Sequence, residues 1–422
     1  MTRRLQQVVL WTAMLLLLSS ELSAQENWPQ FRGTAAAGIS IGDPPVTWNA
    51  ETGENVLWKT RIPGLGHSAP IVWGDRVFVT TATNSVTDTP SLKTGWQGGT
   101  GDPAEDSGTW TWQVLCVDKY SGEILWTKDC AKGEPEIERH LKASHANCTA
   151  ATDGEFIVAF FGSEGLHCLN FEGDIVWQVN FGRLHSGPYN AEELEWGFAS
   201  SPIIYQDMVI VQCDCLNTGF VAILDLKSGE EVRRIDREDV ATWSTPAVVE
   251  SGGRTQIVCN GYKQMAGYDL ETGEQLWTLS GGGDVPVPTP LFAHETIYIT
   301  NGHGRSPTYA IAPDARGDLT PGKRESDDEE ESEKDDSDDK QEIAEEELPE
   351  GLVWYQSRDG SYMPTPIIVG DYLYTCNDNG RLAVRDAKTG ELMYKQRVTQ
   401  GSTTFSTSAV ATADRIYFSS EQ

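Results

Sequence analysis

Short stretches in which apolar and polar residues alternate recur along the whole chain, as in Arg76-Val-Phe-Val-Thr80 and Arg415-Ile-Tyr-Phe-Ser419. Alternation with a period of two is typical of β-strands that bury one face. Turn-forming residues such as Gly, Asp and Asn separate these stretches. No long stretch has the 3.6-residue period of a helix. The pattern therefore predicts one large all-β architecture.

One ten-residue segment, Tyr268-Asp-Leu-Glu-Thr-Gly-Glu-Gln-Leu-Trp277, returns in close variants along the chain. Its Asp can accept hydrogen bonds from backbone amides two residues on, and its Gly supplies the positive φ of a tight turn. The residues after the turn alternate and finish on a large aromatic ring, as in a half-buried outer strand. Each copy is therefore predicted to be a hairpin, and the other copies span residues 51–58, 117–126, 169–177, 224–233 and 385–394.

The large ring that ends most copies is predicted to fasten neighbouring units together. An indole buries roughly 150–250 Å², which corresponds to an upper bound of about 4–6 kcal/mol at about 25 cal/mol per Å². One such ring per unit suffices to dock it on the next. The predicted docking residues are Trp58, Trp126, Trp177 and Trp277, together with the turn glycines Gly122, Gly229, Gly273 and Gly390.

A second recurrent element, usually Ser/Thr-Pro, marks where each unit starts. Ala199, Trp243 and Val287 directly precede it and lie 44 residues apart, while Met363 and Phe405 lie 42 apart. A period in the low forties with four short strands per unit is typical of a β-propeller blade. Seven starts are visible, at residues 66–70, 144–148, 198–202, 242–246, 286–290, 362–366 and 404–408.

The two ends of the repeat array are incomplete. The segment that ends at Trp58 is an outer strand without companion strands upstream, and the last unit stops after strands over residues 406–410 and 415–419. Propeller rings close by pairing strands from both ends of the chain, which removes the exposed edge. We therefore expect residues 50–422 to form an eight-bladed propeller of four-stranded antiparallel blades, with the C-terminal blade or blades truncated.

The N-terminus has the features of an export signal. Arg3 and Arg4 precede an apolar run from Val8 to Leu18 that is too short to span a bilayer, and Ala24 is the expected cleavage residue. Residues 1–24 are therefore predicted to be a signal peptide and the mature chain to be periplasmic or secreted; the alternative is a retained N-terminal anchor. Residues 25–49 are predicted to be an arm laid over the fold. No later segment is predicted to cross a membrane.

The net charge of −31 is concentrated in part in one block. Residues 325–350 contain 16 acidic residues and two lysines, a balance of −14, which leaves −17 for the remainder. Because like charges repel and the block has little apolar surface to bury, the insertion 324–350 is predicted to be disordered. A weak calcium site or a partner-binding tail is the alternative. Binding to nucleic acid is excluded by the charge.

The eight cysteines of an exported protein suggest disulfides, but the repeats argue against them. Cys116 and Cys168 occupy equivalent positions in separate units, which places them too far apart to bridge. We therefore predict mostly buried thiols, with Cys130 or Cys215 as the residues for which a disulfide stays open.

The recurrent Asp-x-x-Ser/Thr-Gly-Glu-x-x-Trp hairpins resemble the tryptophan-docking repeats of the pyrroloquinoline-quinone-like (PQQ-like) propeller superfamily. The superfamily includes quinoprotein alcohol dehydrogenases and the non-enzymatic assembly factor BamB. In quinoproteins the resemblance implies PQQ in a central funnel against a Trp, with adjacent cysteines, a calcium ion and an Asp base. This chain has Cys213-Asp-Cys215 and no Cys-Cys pair, and its blade starts lack a carboxylate cluster. The resemblance therefore implies a BamB-like, non-enzymatic propeller.

Side chains at the blade starts line the central channel of a propeller. Here the candidates for a cofactor or ligand at the channel mouth are His67, His145, Trp196 and Trp243. Histidine and tryptophan rings can bind a metal or stack on a flat ring; the alternative is that they only fill the mouth. Asp102, Glu105 and Asp106 have the chemistry of a calcium site, but the favoured interpretation is that they are solvated loop residues. No catalytic nucleophile and no metal site is predicted.

These observations favour an exported scaffold that binds a protein or a small ligand on a propeller face. The alternative is a PQQ-dependent quinoprotein dehydrogenase with calcium in the central funnel. A third hypothesis is a structural ring that displays its acidic loop.

Overall fold

The computed structural model describes residues 27–88, 90–95, 101–304, 306–322, 348–399, 401 and 403–421. The predicted signal peptide and residues 324–347 of the acidic insertion lie outside the described residues. Apart from two short 3-10 helices, η1 (Thr34–Ala36) and η2 (Gly162–Glu164), the regular structure of the described part is β-strand. No helix there is long and apolar enough to cross a membrane.

The first three sheets each consist of four consecutive strands joined in chain order. The first sheet comprises β1 (Ile71–Trp73), β2 (Arg76–Asn84), β3 (Trp110–Asp118) and β4 (Ile124–Gly133). The second comprises β5 (Ala151–Thr152), β6 (Phe156–Phe160), β7 (Leu166–Asn170) and β8 (Ile175–Val179). The third comprises β9 (Ile203–Tyr205), β10 (Met208–Asp214), β11 (Gly219–Asp225) and β12 (Glu231–Asp236).

The later sheets follow the same plan with one addition. The fourth sheet comprises β13 (Ala247–Ser251), β14 (Arg254–Cys259), β15 (Met265–Asp269) and β16 (Gln275–Leu279), and gains β20 (Gly317–Asp318) as a fifth strand. The fifth comprises β17 (Leu291–Ala293), β18 (Thr296–Thr300), β19 (Thr308–Ile311) and β21 (Leu352–Gln356). The sixth comprises β22 (Ile367–Val369), β23 (Tyr372–Cys376), β24 (Arg381–Asp386) and β25 (Leu392–Arg397); the seventh pairs β26 (Val410–Ala411) with β27 (Ile416–Tyr417).

The architecture confirms the predicted all-β fold of four-stranded antiparallel units. Strands within a unit pair antiparallel, as between β6 and β7, and the first strands of successive sheets contact one another, as β1 contacts β5 and β5 contacts β9. The described residues form seven sheets. The eight-blade count stays a prediction.

The hydrophobic core lies between neighbouring sheets. Phe160 of the second sheet and Val211 and Phe220 of the third belong to one buried cluster. Phe78 and Ile157 belong to another, between the first and second sheets. Because each sheet buries both faces, its central strands read as nearly continuous apolar runs.

The N-terminal arm crosses the first strands of the sheets. Trp28 forms a β-bridge with Val72, the Thr152 amide donates to the Pro29 carbonyl over 2.8 Å, and the Ile204 amide donates to the Gln30 side chain over 3.2 Å. Helix η1 contacts β13 and β17. Farther along, Ile39 bridges Ala411 in parallel. The arm therefore lies along the inner strands from the first sheet to the last.

Arg32 is the buried anchor of this arm. Its guanidinium donates to the carbonyls of Pro366 and Ala409, each over 2.9 Å, and to those of Ala36 and Ala37 in the arm itself. Burial lowers the pKa of Arg32 to about 9. One side chain thus joins the arm to the sixth and seventh sheets.

Candidate functional site

Four tryptophans dock on the next turn along the chain; three are the third residues of the outer strands β4, β8 and β21, and Trp58 precedes the first sheet. In each case the indole N–H donates to the carbonyl of the residue directly after the turn Asp or Asn. The bonds are Trp58 to Lys119 (2.8 Å), Trp126 to Phe171 (3.0 Å), Trp177 to Leu226 (2.8 Å) and Trp354 to Ala387 (2.8 Å). The docking geometry therefore repeats along the chain.

The turn glycines make room for these rings. A Cβ at Gly122 would lie 2.6 Å from Trp58, one at Gly229 2.6 Å from Trp177, and one at Gly390 2.7 Å from Trp354. All three glycines also have positive φ. The Gly of the repeat therefore serves both the turn and the ring that packs on it.

Three units depart from the tryptophan pattern, and in the sixth sheet Tyr394 stands at the docking position. In the third sheet, Arg233 stands where a Trp is expected and donates to the carbonyls of Glu271 and Thr272 over 2.7 and 2.8 Å. Its stem, rather than an indole, lies over Gly273.

Trp277 of the fourth sheet has no repeat turn to dock on, because residues 312–351 replace that turn in the fifth sheet. Its indole donates to the Gln256 side chain over 2.9 Å, and the Gln256 amide donates to the Pro313 carbonyl over 2.8 Å. Gln256 thus connects Trp277 to Pro313, which follows the third strand of the fifth sheet. The sequence pattern predicts the same docking for Trp277 as for the other tryptophans, and it does not indicate the roles of Arg233, Trp354 and Gln256.

The insertion between β2 and β3 is bonded to segments that lie close to the predicted channel-mouth residues. The amides of Lys93 and Ala104 donate to the carbonyls of Leu141 and Arg139 over 3.0 and 2.7 Å. The Trp196 indole donates to the Gly101 carbonyl over 2.7 Å. The insertion is therefore held down by the segment that precedes β5 and by Trp196.

A buried ion network anchors the insertion between β2 and β3. Arg139 donates to both carboxylate oxygens of Asp106, over 2.8 and 2.9 Å, and His145 Nε2 lies 3.0 Å from Asp106 Oδ2. Burial opposes ionisation of Asp106, yet the bonds from His145 and Arg139 together hold its pKa below the ordinary value. Burial lowers the pKa of His145 and outweighs the effect of Asp106. A neutral imidazole that donates to the carboxylate satisfies both shifts.

The four candidates at the mouth are placed differently. Trp196 and Trp243 lie side by side with ring centroids 5.8 Å apart, and the Trp243 indole donates to the Gly197 carbonyl over 2.7 Å. His145 packs edge-on against Trp110, with ring centroids 4.7 Å apart. His67 is exposed, and its backbone amide donates to the Ala146 carbonyl. The structure brings the two tryptophans together and commits His145 to Asp106.

The described residues include free thiols and several acidic side chains that could, in principle, bind a metal ion. No group of three or more His, Cys, Asp and Glu side chains is placed there to hold a metal ion. Both oxygens of Asp106 accept hydrogen bonds from Arg139, while Asp102 and Glu105 are exposed. All eight cysteines are free thiols, and burial raises the pKa of Cys215 to about 12. The prediction of thiols is confirmed.

Comparison with known families places the chain. The family model described as outer membrane protein assembly factor BamB matches residues 9–105 and 111–391. The chain belongs to this BamB family. The resemblance to PQQ-like propellers drawn from the hairpins is thereby confirmed.

Solved structures similar to this BamB-family chain include BamB from Moraxella catarrhalis. That structure is 14% identical, has a TM-score of 0.48, and the match covers 86% of this chain and 93% of that chain. A europium-containing methanol dehydrogenase is 11% identical with a TM-score of 0.44, over 92% of this chain and 87% of that chain. No curated protein matches the chain.

A second buried ion network of the BamB-family chain joins the third and fourth sheets. Arg237 donates to Asp214 over 2.9 Å, to the Tyr268 hydroxyl over 2.8 Å and to the Gln264 carbonyl over 2.8 Å. Burial, and after it the charge of Asp214, raises the pKa of the adjacent Asp239. The network depends on residues that are distant in sequence, so no local motif indicates it.

Proposed function

We propose that the mature chain is an exported, non-catalytic propeller that acts as a scaffold for a protein partner in the cell envelope or outside the cell. Membership of the BamB family supports a propeller scaffold. The strongly acidic chain, with a net charge of −31, favours a partner whose contact surface is cationic.

This proposal depends on one observation: two of the predicted channel-mouth side chains, His145 and Trp196, already bind other residues of the chain. His145 is bonded to Asp106 and packed against Trp110, and the Trp196 indole is bonded to the Gly101 carbonyl of the insertion between β2 and β3. The alternative, a PQQ-dependent quinoprotein dehydrogenase, would place its cofactor in the central funnel against a Trp. His145 and Trp196 are instead bonded to residues of the insertion between β2 and β3, which supports a partner that binds on the outer surface of the propeller.

A cofactor titration tests the proposal against the dehydrogenase. The chain from residue 25 is mixed with equimolar PQQ and excess calcium, passed through gel filtration, and assayed for alcohol-dependent dye reduction. We expect the quinone absorbance to elute apart from the protein and the dye to stay oxidised. Stoichiometric retention of quinone together with dye reduction would overturn the proposal.

Crosslinking in intact cells tests the scaffold itself. The full chain, with its own N-terminus and expressed at its natural level, is crosslinked with a short amine-reactive reagent and analysed by mass spectrometry. We expect the mature protein in the envelope or secreted fraction, with reproducible crosslinks to one protein. A cytoplasmic chain that begins at Met1 would contradict the proposed export.

A further inference from the structure

Every complete sheet carries a β-bulge at the same place. Where the third strand pairs with the outer strand, the register skips one residue of the outer strand, and that residue directly precedes the docking position. The skipped residue is apolar in all six sheets: Leu125, Val176, Val232, Leu276, Val353 and Met393. A bulge that recurs in this way is a designed feature of the strand.

Five of these bulge residues are exposed on the rim, although each is apolar. The exposed fractions are 46% for Leu125, 45% for Val176, 61% for Val232, 46% for Val353 and 48% for Met393. The sixth, Leu276, is only 7% exposed. The fourth sheet therefore contains something that covers the position which the other five leave open.

The cover in the fourth sheet is strand β20, which pairs in parallel with the outer strand β16. Trp277 is opposite Gly317 and Thr278 opposite Asp318, and the Leu319 amide donates to the Thr278 carbonyl over 2.8 Å. Ala315 and Leu319 share a buried cluster with Leu276. An extended segment with apolar residues two positions before and two after a glycine thus fits the bulge.

The outer edge of the second sheet offers the same features, and no strand of the described residues pairs with it. The sheet ends at β8, whose five residues, Ile175-Val-Trp-Gln-Val179, include no charge and no proline. Natural edges are usually protected by charges, as β12 is by Arg234 and β4 by Lys128. The edge β21 is also uncharged, but it follows directly on the acidic block. An unprotected apolar edge is a template for an added strand.

We propose that the outer edge of β8 binds an extended segment of a protein partner as an added parallel strand, in the way β20 binds β16. The segment would place a glycine opposite Trp177 and an apolar side chain over Val176. This inference rests on the proposed scaffold function and names the surface and the kind of peptide that the scaffold recognises.

The test uses the chain's own strand as the probe. A fluorescent peptide of residues 313–321, Pro-Asp-Ala-Arg-Gly-Asp-Leu-Thr-Pro, is titrated into the full mature protein and followed by anisotropy. We expect saturable binding with a Kd on the order of hundreds of micromolar, as for a short strand added to an edge. Hydrogen exchange should slow at residues 175–179 when the peptide is bound.

Two variants with the same change of charge localise the site. Val176→Asp puts a carboxylate under the apolar side chain of the peptide and should weaken binding at least about fivefold. Val86→Asp, at a residue 70% exposed on the insertion, should bind within about twofold of the wild type. Circular dichroism and melting curves confirm that both variants are folded.

The outcomes separate the edge from the scaffold. No saturation by about 1 mM, equal affinity of Val176→Asp and wild type, or protection away from β8 would overturn the inference. A dimer that excludes the peptide and is lost in Val176→Asp would assign the edge to a second copy and overturn the partner. If a cellular partner still crosslinks to Val176→Asp as it does to wild type, the scaffold function stands and the edge proposal fails.

Discussion

Replacement of Trp177 measures what a docking ring contributes to the fold. Its side chain is 9% exposed, its face covers Gly229, and its indole donates to the Leu226 carbonyl over 2.8 Å. Trp177→Phe keeps most of the packing but leaves the Leu226 carbonyl with only the weak contact from the Cys168 thiol at 3.9 Å, which should cost about 1–2 kcal/mol. Trp177→Ala also removes the ring and leaves a cavity between the second and third sheets, which should cost about 3–5 kcal/mol.

The assay is the midpoint of urea unfolding followed by circular dichroism, together with native-state hydrogen exchange of amides in β8 and β11. Exchange reports the local opening of the second and third sheets, which is where the loss should be greatest. Trp48, which is 58% exposed, provides the control, and Trp48→Ala should change stability by less than about 0.5 kcal/mol. Equal losses for Trp177→Phe and Trp177→Ala would show that packing contributes nothing. A loss for Trp177→Ala no greater than for Trp48→Ala would refute the docking argument.

Two further substitutions test buried charges. Burial raises the pKa of Glu164 to about 7, above the unfolded value of about 4.5, so its contribution to stability is greatest below pH 4.5 and is lost as the pH rises towards 7. Glu164→Gln keeps the oxygen that accepts from the Glu136 amide. The variant should be about 1–2 kcal/mol more stable than the wild type at pH 8 and equally stable at pH 4.5. Equal shifts of the melting temperature at both pH values would contradict this. Arg32→Met removes the donors to Pro366 and Ala409 and should lower the unfolding midpoint by the equivalent of about 3–5 kcal/mol, with faster proteolysis of the arm; an unchanged midpoint would show that the guanidinium does not hold the arm.

The features that the sequence predicts well are those set by neighbouring residues. Asp118 accepts from the amides of Tyr120 and Ser121 in its turn, and Gly122 has a φ of 74°, as the turn chemistry requires. Alternation likewise predicts strands, because the exposure of a side chain in a strand depends on its neighbours two residues away. The repeat then extends these local rules to the whole fold.

The features that the sequence does not predict depend on distant partners. The sequence groups Asp106 with Asp102 and Glu105 as possible calcium ligands, yet Asp106 binds Arg139, 33 residues farther on, which no spacing rule indicates. The role of Gln256 follows from the missing turn in the fifth sheet. An apolar residue before each docking position is visible in the sequence, but only the register with the third strand shows it to be a bulge.

The arm that carries Arg32 has a consequence for the order in which the protein assembles. During synthesis this segment leaves the ribosome before any sheet, yet its guanidinium bonds Ala409, 377 positions later. The carbonyls of Pro366 and Ala409 do not exist while the early units form, so Arg32 lacks both of these partners until the last two sheets are made. Until then the arm can be held only by its contacts with the earlier sheets, such as the bridge between Trp28 and Val72. The step in which Arg32 fixes the arm to the last two sheets is therefore late. A nascent chain stopped before Pro366 should expose its inner strands to chaperones.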